Sequence, residues 1–137
     1  MIGVTGGCRI PRILVVEDEL DIATVIASAL RHHGYEVVLA ASGEEALRLW
    51  ITEEPDLVLL DINLPGTDGF EVAGKMRAAA SPTPVIFLTA RDLPEDQKRA
   101  ADLWALGLIK KPFSVAALLR RIAEISTLQR SATTSAT

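Results

Sequence analysis

Cysteine is almost missing from this chain: Cys8 stands alone among 137 residues, so no intrachain disulfide can form. Such cysteine usage fits a reducing compartment, and a cytoplasmic location is expected. No apolar run is long enough to cross a bilayer, and no membrane partner is expected. Met1-Ile2-Gly3-Val4-Thr5-Gly6-Gly7 has neither the charged start nor the apolar stretch of a signal peptide. Residues 1–11 therefore read as a flexible N-terminal leader. An excess of positive charge is missing too: 14 basic against 18 acidic side chains give a net charge of -4. Without a basic stripe or aromatic residues interleaved with basic ones, direct nucleic-acid binding by this chain is not expected. No internal repeat is present, and the length suits one domain with one core.

Four short apolar runs each stop at a polar residue. Ile13-Leu14-Val15-Val16 meets Glu17 and Asp18, and Leu57-Val58-Leu59-Leu60 meets Asp61. Val85-Ile86-Phe87-Leu88 meets Thr89, and Leu106-Gly107-Leu108-Ile109 meets Lys110-Lys111-Pro112. Apolar runs of this length, bounded by turn signals, read as fully buried strands of a parallel sheet. Ligands of open α/β sheets bind beyond the carboxyl ends of the strands. The polar stops would therefore gather at one edge, where carboxylates, a hydroxyl and an ammonium suit a hard cation and a phosphoryl group.

Between the runs, helical periodicity appears. Ile22, Val25, Ile26, Ala29 and Leu30 form one stripe, closed by Gly34 as a left-handed stop. Tyr35 to Ala40 reads as an edge strand. Ser42 and Glu45 have capping-box spacing for a second helix, with Ala46, Leu49 and Trp50 on its buried face. Leu64-Pro65-Gly66-Thr67-Asp68-Gly69 is a turn-rich loop before a helix carrying Phe70, Val72, Ala73 and Met76. Pro94, Glu95 and Asp96 open a fourth helix expected to reach about Trp104, and Ser114 caps a fifth bearing Val115, Leu118, Leu119, Ile122 and Ile125. The alternation predicts an α/β fold: a flavodoxin-like, doubly wound, five-stranded parallel sheet in the order 2-1-3-4-5 with five helices. The domain spans 12–130, and 131–137 is expected to be a disordered tail or linker stump.

Together the motifs Val15-Val16-Glu17-Asp18-Glu19, Asp61-Ile62-Asn63-Leu64-Pro65-Gly66-Thr67-Asp68-Gly69, Thr89-Ala90-Arg91 and Lys111-Pro112-Phe113 resemble response-regulator receiver domains. These are the phosphoacceptor modules of two-component signalling, and the resemblance covers roughly Arg12 to Gln129. It implies Asp61 as the phosphoacceptor, attacking phosphorus to form an acyl phosphate. It implies Mg2+ as cofactor, held by Glu17, Asp18, Asp61 and the backbone carbonyl of Asn63, with Asp18 the more direct ligand and Glu17 acting largely through water. Lys111 and Thr89 would contact the phosphoryl oxygens, Ala90 would leave room for them, and a cis bond before Pro112 would aim Lys111 inward. Asn63 and Arg91 would tune hydrolysis of the acyl phosphate. The implied partner is a histidine kinase or a histidine phosphotransfer protein. The implied output face is the fourth helix, fifth strand and fifth helix, through which a homodimer is also possible. The resemblance further implies a domain that assists its own phosphorylation and dephosphorylation and is not an ordinary turnover enzyme.

Taken singly, each motif has an ordinary explanation. Glu17 and Asp18 can cap a helix, Asp61 can start an Asx-turn, and Thr89 and Lys111 are common strand and surface residues. His32 and His33 suit the negative end of a helix dipole better than a metal site. Arg120, Arg121 and Arg130 decorate a solvated face. An Asp-nucleophile phosphatase would need a second acid where Asn63 stands, and Glu17-Asp18-Glu19 would repel a flavin phosphate. One departure stands out: receiver domains usually carry an aromatic three places before the lysine of the Lys-Pro pair, and here it is Leu108. Either Leu108 shifts in its place, or Trp104, Leu106 and Leu108 form an exposed apolar surface for a partner or a second copy. The rival reading is accordingly a receiver-like binding module that no longer switches by phosphorylation.

Overall fold

The computed structural model describes residues 11–90 and 93–136. The chain runs β1 (Arg12–Val16), α1 (Leu20–His32), β2 (Glu36–Ala40), α2 (Gly43–Glu53), β3 (Leu57–Asp61), α3 (Gly69–Ala78), β4 (Val85–Thr89), α4 (Pro94–Asp102), β5 (Gly107–Lys110) and α5 (Val115–Ala136). The five strands form one parallel sheet in the order β2-β1-β3-β4-β5, as expected.

Continuous apolar runs form the central strands because successive residues feed two cores. Leu14, Val16, Val58, Leu60, Val85 and Phe87 face α2, α3 and α4, where Ala46, Phe70, Val72, Met76 and Ala100 are buried. Ile13, Val15, Leu59, Ile86 and Leu88 face α1 and α5, meeting Ile26, Leu30, Leu118 and Ile122. With both faces covered, β3 and β4 are buried at every position. The edge strands β2 and β5 are only partly buried.

Several local features differ from the sequence reading. The buried stripe of α1 is Ala23, Ile26, Ala27 and Leu30, while Val25 is 56% exposed. The stripe is rotated because two alanines let the helix lie close to the sheet, which leaves Val25 on the flank. Leu49 and Trp50 are half-buried. Ser42 caps α2 by accepting from the Glu45 amide, but Glu45 Oε1 accepts from Ala41 N rather than from the cap residue itself. The reciprocal capping box belongs instead to Asp68 and Glu71 at the start of α3. Gly34 closes α1 with φ +92°. Ala80 and Trp104, both at φ 60°, close α3 and α4 in the same left-handed manner without being glycine. Helix α4 thus ends at Asp102, two residues before Trp104. Helix α5 continues to Ala136, through most of the stretch expected to be a disordered tail. No glycine or proline follows Pro112, so nothing in the backbone stops it. The leader residues 1–10 lie outside the described residues.

Candidate functional site

The carboxyl ends of β1, β3, β4 and β5 bring the polar stops together. Glu17 directly follows β1 and continues its ladder, donating its amide to Ala40 O at 3.0 Å. Asp61 and Thr89 are the last residues of β3 and β4. Glu17, Asp61 and Thr89 are all buried, although polar. Lys111 follows β5, its amide donating to Thr89 O at 2.6 Å, and its bond to Pro112 is cis.

The Lys111 ammonium bridges the two buried carboxylates. Nζ donates to Glu17 Oε1 at 2.6 Å and to Asp61 Oδ2 at 2.9 Å. The other oxygens take backbone donors: Glu17 Oε2 accepts from Glu19 N at 3.1 Å, and Asp61 Oδ1 accepts from Asn63 N at 3.0 Å. Burial pushes the Glu17 carboxyl above its ordinary range, with Lys111 and the Glu19 amide opposing the shift. Burial would lower the Lys111 ammonium, but its hydrogen bonds to Glu17 and Asp61 outweigh it and hold the group above its usual value.

Asp18 is exposed beside this pair. One carboxylate oxygen each from Glu17, Asp18 and Asp61 lies within 4.8 Å of the others. An all-oxygen, all-anionic donor set is the chemistry that a hard divalent cation requires. Three carboxylates against one ammonium leave the pocket net negative. The residues therefore fit Mg2+.

Gly69, in the sequence only the last residue of a turn-rich loop and motif, shapes the site. A Cβ there would stand 2.4 Å from Asp61 O and 2.9 Å from Ile62 Cα, so only glycine lets the first turn of α3 press against the Asp61 peptide. Asp68 fixes that turn by accepting from Glu71 N at 2.9 Å. A groove of about 550 Å³ opens beside Lys111 and Ala90, floored by Ile22, Val25, Phe113 and Val115 and rimmed by Glu19 and Asp21. Val25, expected in the apolar stripe of α1 that meets the core, lines this groove instead.

Other expected residues stand apart. Leu108 is half-buried and packs against the core beneath α2, α3 and α4, rather than joining an exposed surface. Neighbouring strand β4 brings Phe87 into register with it, which draws it inward. Trp104 and Leu106 are 74% and 41% exposed. Arg91 lies outside the described residues. Asn63 is exposed, and its amide donates to Asp61 Oδ1. Among the described residues, no helix is long and apolar enough to cross a membrane.

A family model described as Response regulator receiver domain matches residues 13–123. The chain is 42% identical over 117 residues to the alkaline phosphatase synthesis transcriptional regulatory protein PhoP of Bacillus subtilis, covering 80% of this chain and 49% of that protein. It is 46% identical over 111 residues to the transcriptional regulatory protein DltR of Streptococcus agalactiae, covering 81% and 50%. The chain thus spans about half the length of these curated relatives. Its structure is similar to that of a response regulator receiver domain protein (CheY-like) from Methanospirillum hungatei, with a TM-score of 0.85 at 30% identity over 90% of this chain and 98% of that one.

Proposed function

The chain belongs to the response regulator receiver domain family, and on that premise we propose that it accepts a phosphoryl group on Asp61 from a partner phosphohistidine. The observation that carries this reading is the Lys111 ammonium shared between buried Glu17 and Asp61, with Thr89 at the adjacent strand end. An Asp61 carboxylate oxygen attacks phosphorus, the P–N bond breaks, and the departing imidazole keeps the electron pair. Lys111 transfers its hydrogen bonding from Asp61 to the phosphoryl oxygens, and Thr89 donates its hydroxyl to them. Mg2+, held by Glu17, Asp18, Asp61 and the Asn63 carbonyl, would cancel the repulsion between these carboxylates and the incoming dianion. Asn63 and Arg91 would govern how fast water removes the group. The domain acts on itself and is not a turnover enzyme.

The groove beside Lys111 supports a donor that is a histidine kinase or a phosphotransfer protein. Its apolar floor would seat a helix, and Glu19 and Asp21 favour basic residues flanking the donor histidine. Phosphorylation would then bias α4, β5 and α5 between two packings, with half-buried Leu108 shifting beneath a face on which Trp104 stays exposed, and self-association through that face as one outcome. A cytoplasmic setting fits such a partner. DNA binding, if the full-length protein has it, would belong to other segments.

The test is incubation with acetyl phosphate and Mg2+ followed by intact-mass measurement. One added phosphoryl group is expected, absent from Asp61→Asn and after chelation of the metal. No adduct with any donor would leave the non-switching binding module as the better reading.

A further inference from the structure

Helix α4 is lightly held. Of its residues only Asp96 and Ala100 are buried, and Leu93, Pro94, Glu95, Gln97 and Lys98 at its start are exposed. Two side-chain attachments hold its far end. The Arg99 guanidinium lies 4.2 Å from the centre of the Phe70 ring. Arg77 of α3 donates from Nε to Leu103 O at 2.7 Å, and from Nη1 to Ser81 O at 3.0 Å and Thr83 O at 2.9 Å. Leu103 is the C-cap of α4.

The Arg77 fork therefore caps one helix from its neighbour. Carbonyls at a helix C-terminus have no intrahelical donor, and that end of the dipole favours a cation. The same guanidinium ties α4 to the segment entering β4, where Ser81 Oγ and Trp50 Nε1 both donate to Thr83 Oγ1. Burial pushes the Arg77 guanidinium below its ordinary value, yet arginine stays charged. Arg77 thus ties the segment that enters β4 to the C-terminal end of α4.

Resting on the phosphoacceptor reading above, we propose that Arg77 is the pivot of the switch, a positioning residue that pins the C-terminal end of α4 so that a phosphoryl group on Asp61 displaces only the N-terminal end. A planar fork serving three carbonyls has no equivalent in an ammonium, so lysine cannot replace it.

Hydrogen exchange on the full chain, with and without beryllofluoride and Mg2+, tests this, with uptake of the adduct followed by native mass spectrometry. In the wild type, the adduct should change exchange about threefold or more across residues 93–98 and leave 103–106 unchanged. In Arg77→Gln the adduct should still bind, and the change should spread to 103–106. Arg77→Lys, which keeps the charge and the stem, should behave the same way and carries the test if the glutamine variant does not fold. With the adduct bound to wild type, an equal change at 103–106, or an unaltered pattern in both variants, overturns the pivot and leaves the phosphoacceptor reading standing. Absence of any adduct in wild type overturns both.

Discussion

Lys111 lies nearer to Glu17 than to Asp61, at 2.6 Å against 2.9 Å. On the proposed reading, the lysine that would meet an incoming phosphoryl group is shared at rest with a second carboxylate. Removing the ammonium strands two buried anions together. Lys111→Met should cost about 3–5 kcal/mol in urea unfolding without divalent ions, the range for breaking a buried pair from one side. Excess Mg2+ should restore part of that loss, because the cation takes over the neutralisation. A variant as stable as wild type without metal would show that the two carboxylates do not need the lysine.

Gly69→Ala should damage the site from outside it. The new methyl meets backbone atoms of Asp61 and Ile62, which cannot rotate away. Overpacking of this kind costs about 1–3 kcal/mol. A displaced Asp61 should slow phosphorylation by acetyl phosphate on the order of a hundredfold. Stopped mixing with intact-mass readout separates the rate loss from the stability loss.

Trp104→Gly should stabilise the protein. The indole is 74% exposed and its backbone is left-handed at φ 60°, where a Cβ is disfavoured. Glycine at this helix end should yield about 0.5–1 kcal/mol, and alanine no such gain. Thermal unfolding of both variants measures this. If Trp104 serves a docking surface, partner binding or self-association should weaken in both; unchanged association in Trp104→Ala removes that role.

Val25→Asp should separate the two phosphoryl sources. The side chain is exposed, so folding should not change. An uncompensated charge facing a docked helix should slow transfer from a phosphohistidine donor by about tenfold or more. Labelling by acetyl phosphate, which needs no docking, should be unaffected. Equal loss with both donors would place Val25 in the chemistry rather than in the docking.

Asp68→Ala should cost about 1 kcal/mol through loss of the reciprocal cap of α3. Urea unfolding is the check, with Glu71→Ala expected to lose the other half of the same pair of bonds.

The strands were legible because a strand covered on both faces must be apolar at every position, so its first polar residue marks where the chain leaves the core. Glu17, Asp61 and Thr89 were found in this way, and their edge followed from parallel topology. In the partly buried edge strand β5 the first polar residue is Lys110, and Lys111 was singled out by its Lys-Pro motif. Cap signals were only partly legible. Asp68 and Glu71 carry the same spacing as Ser42 and Glu45, but the turn residues around Pro65 and Gly66 obscure them. Amphipathic spacing located α1 without saying which apolar side chains meet the sheet, so Val25 was assigned to the core it flanks.

Residue order alone dictated the parallel α/β sheet and the identity of the groups at its carboxyl edge, since both follow from local polarity and chain connectivity. Packing decided the rest: that Lys111 joins Glu17 and Asp61 across 94 and 50 residues of chain, that Gly69 bears on the Asp61 peptide, that Leu108 turns inward, and that Arg77 caps α4. These depend on distances between segments that become neighbours only when the sheet and helices dock, and no local pattern of side chains encodes such distances.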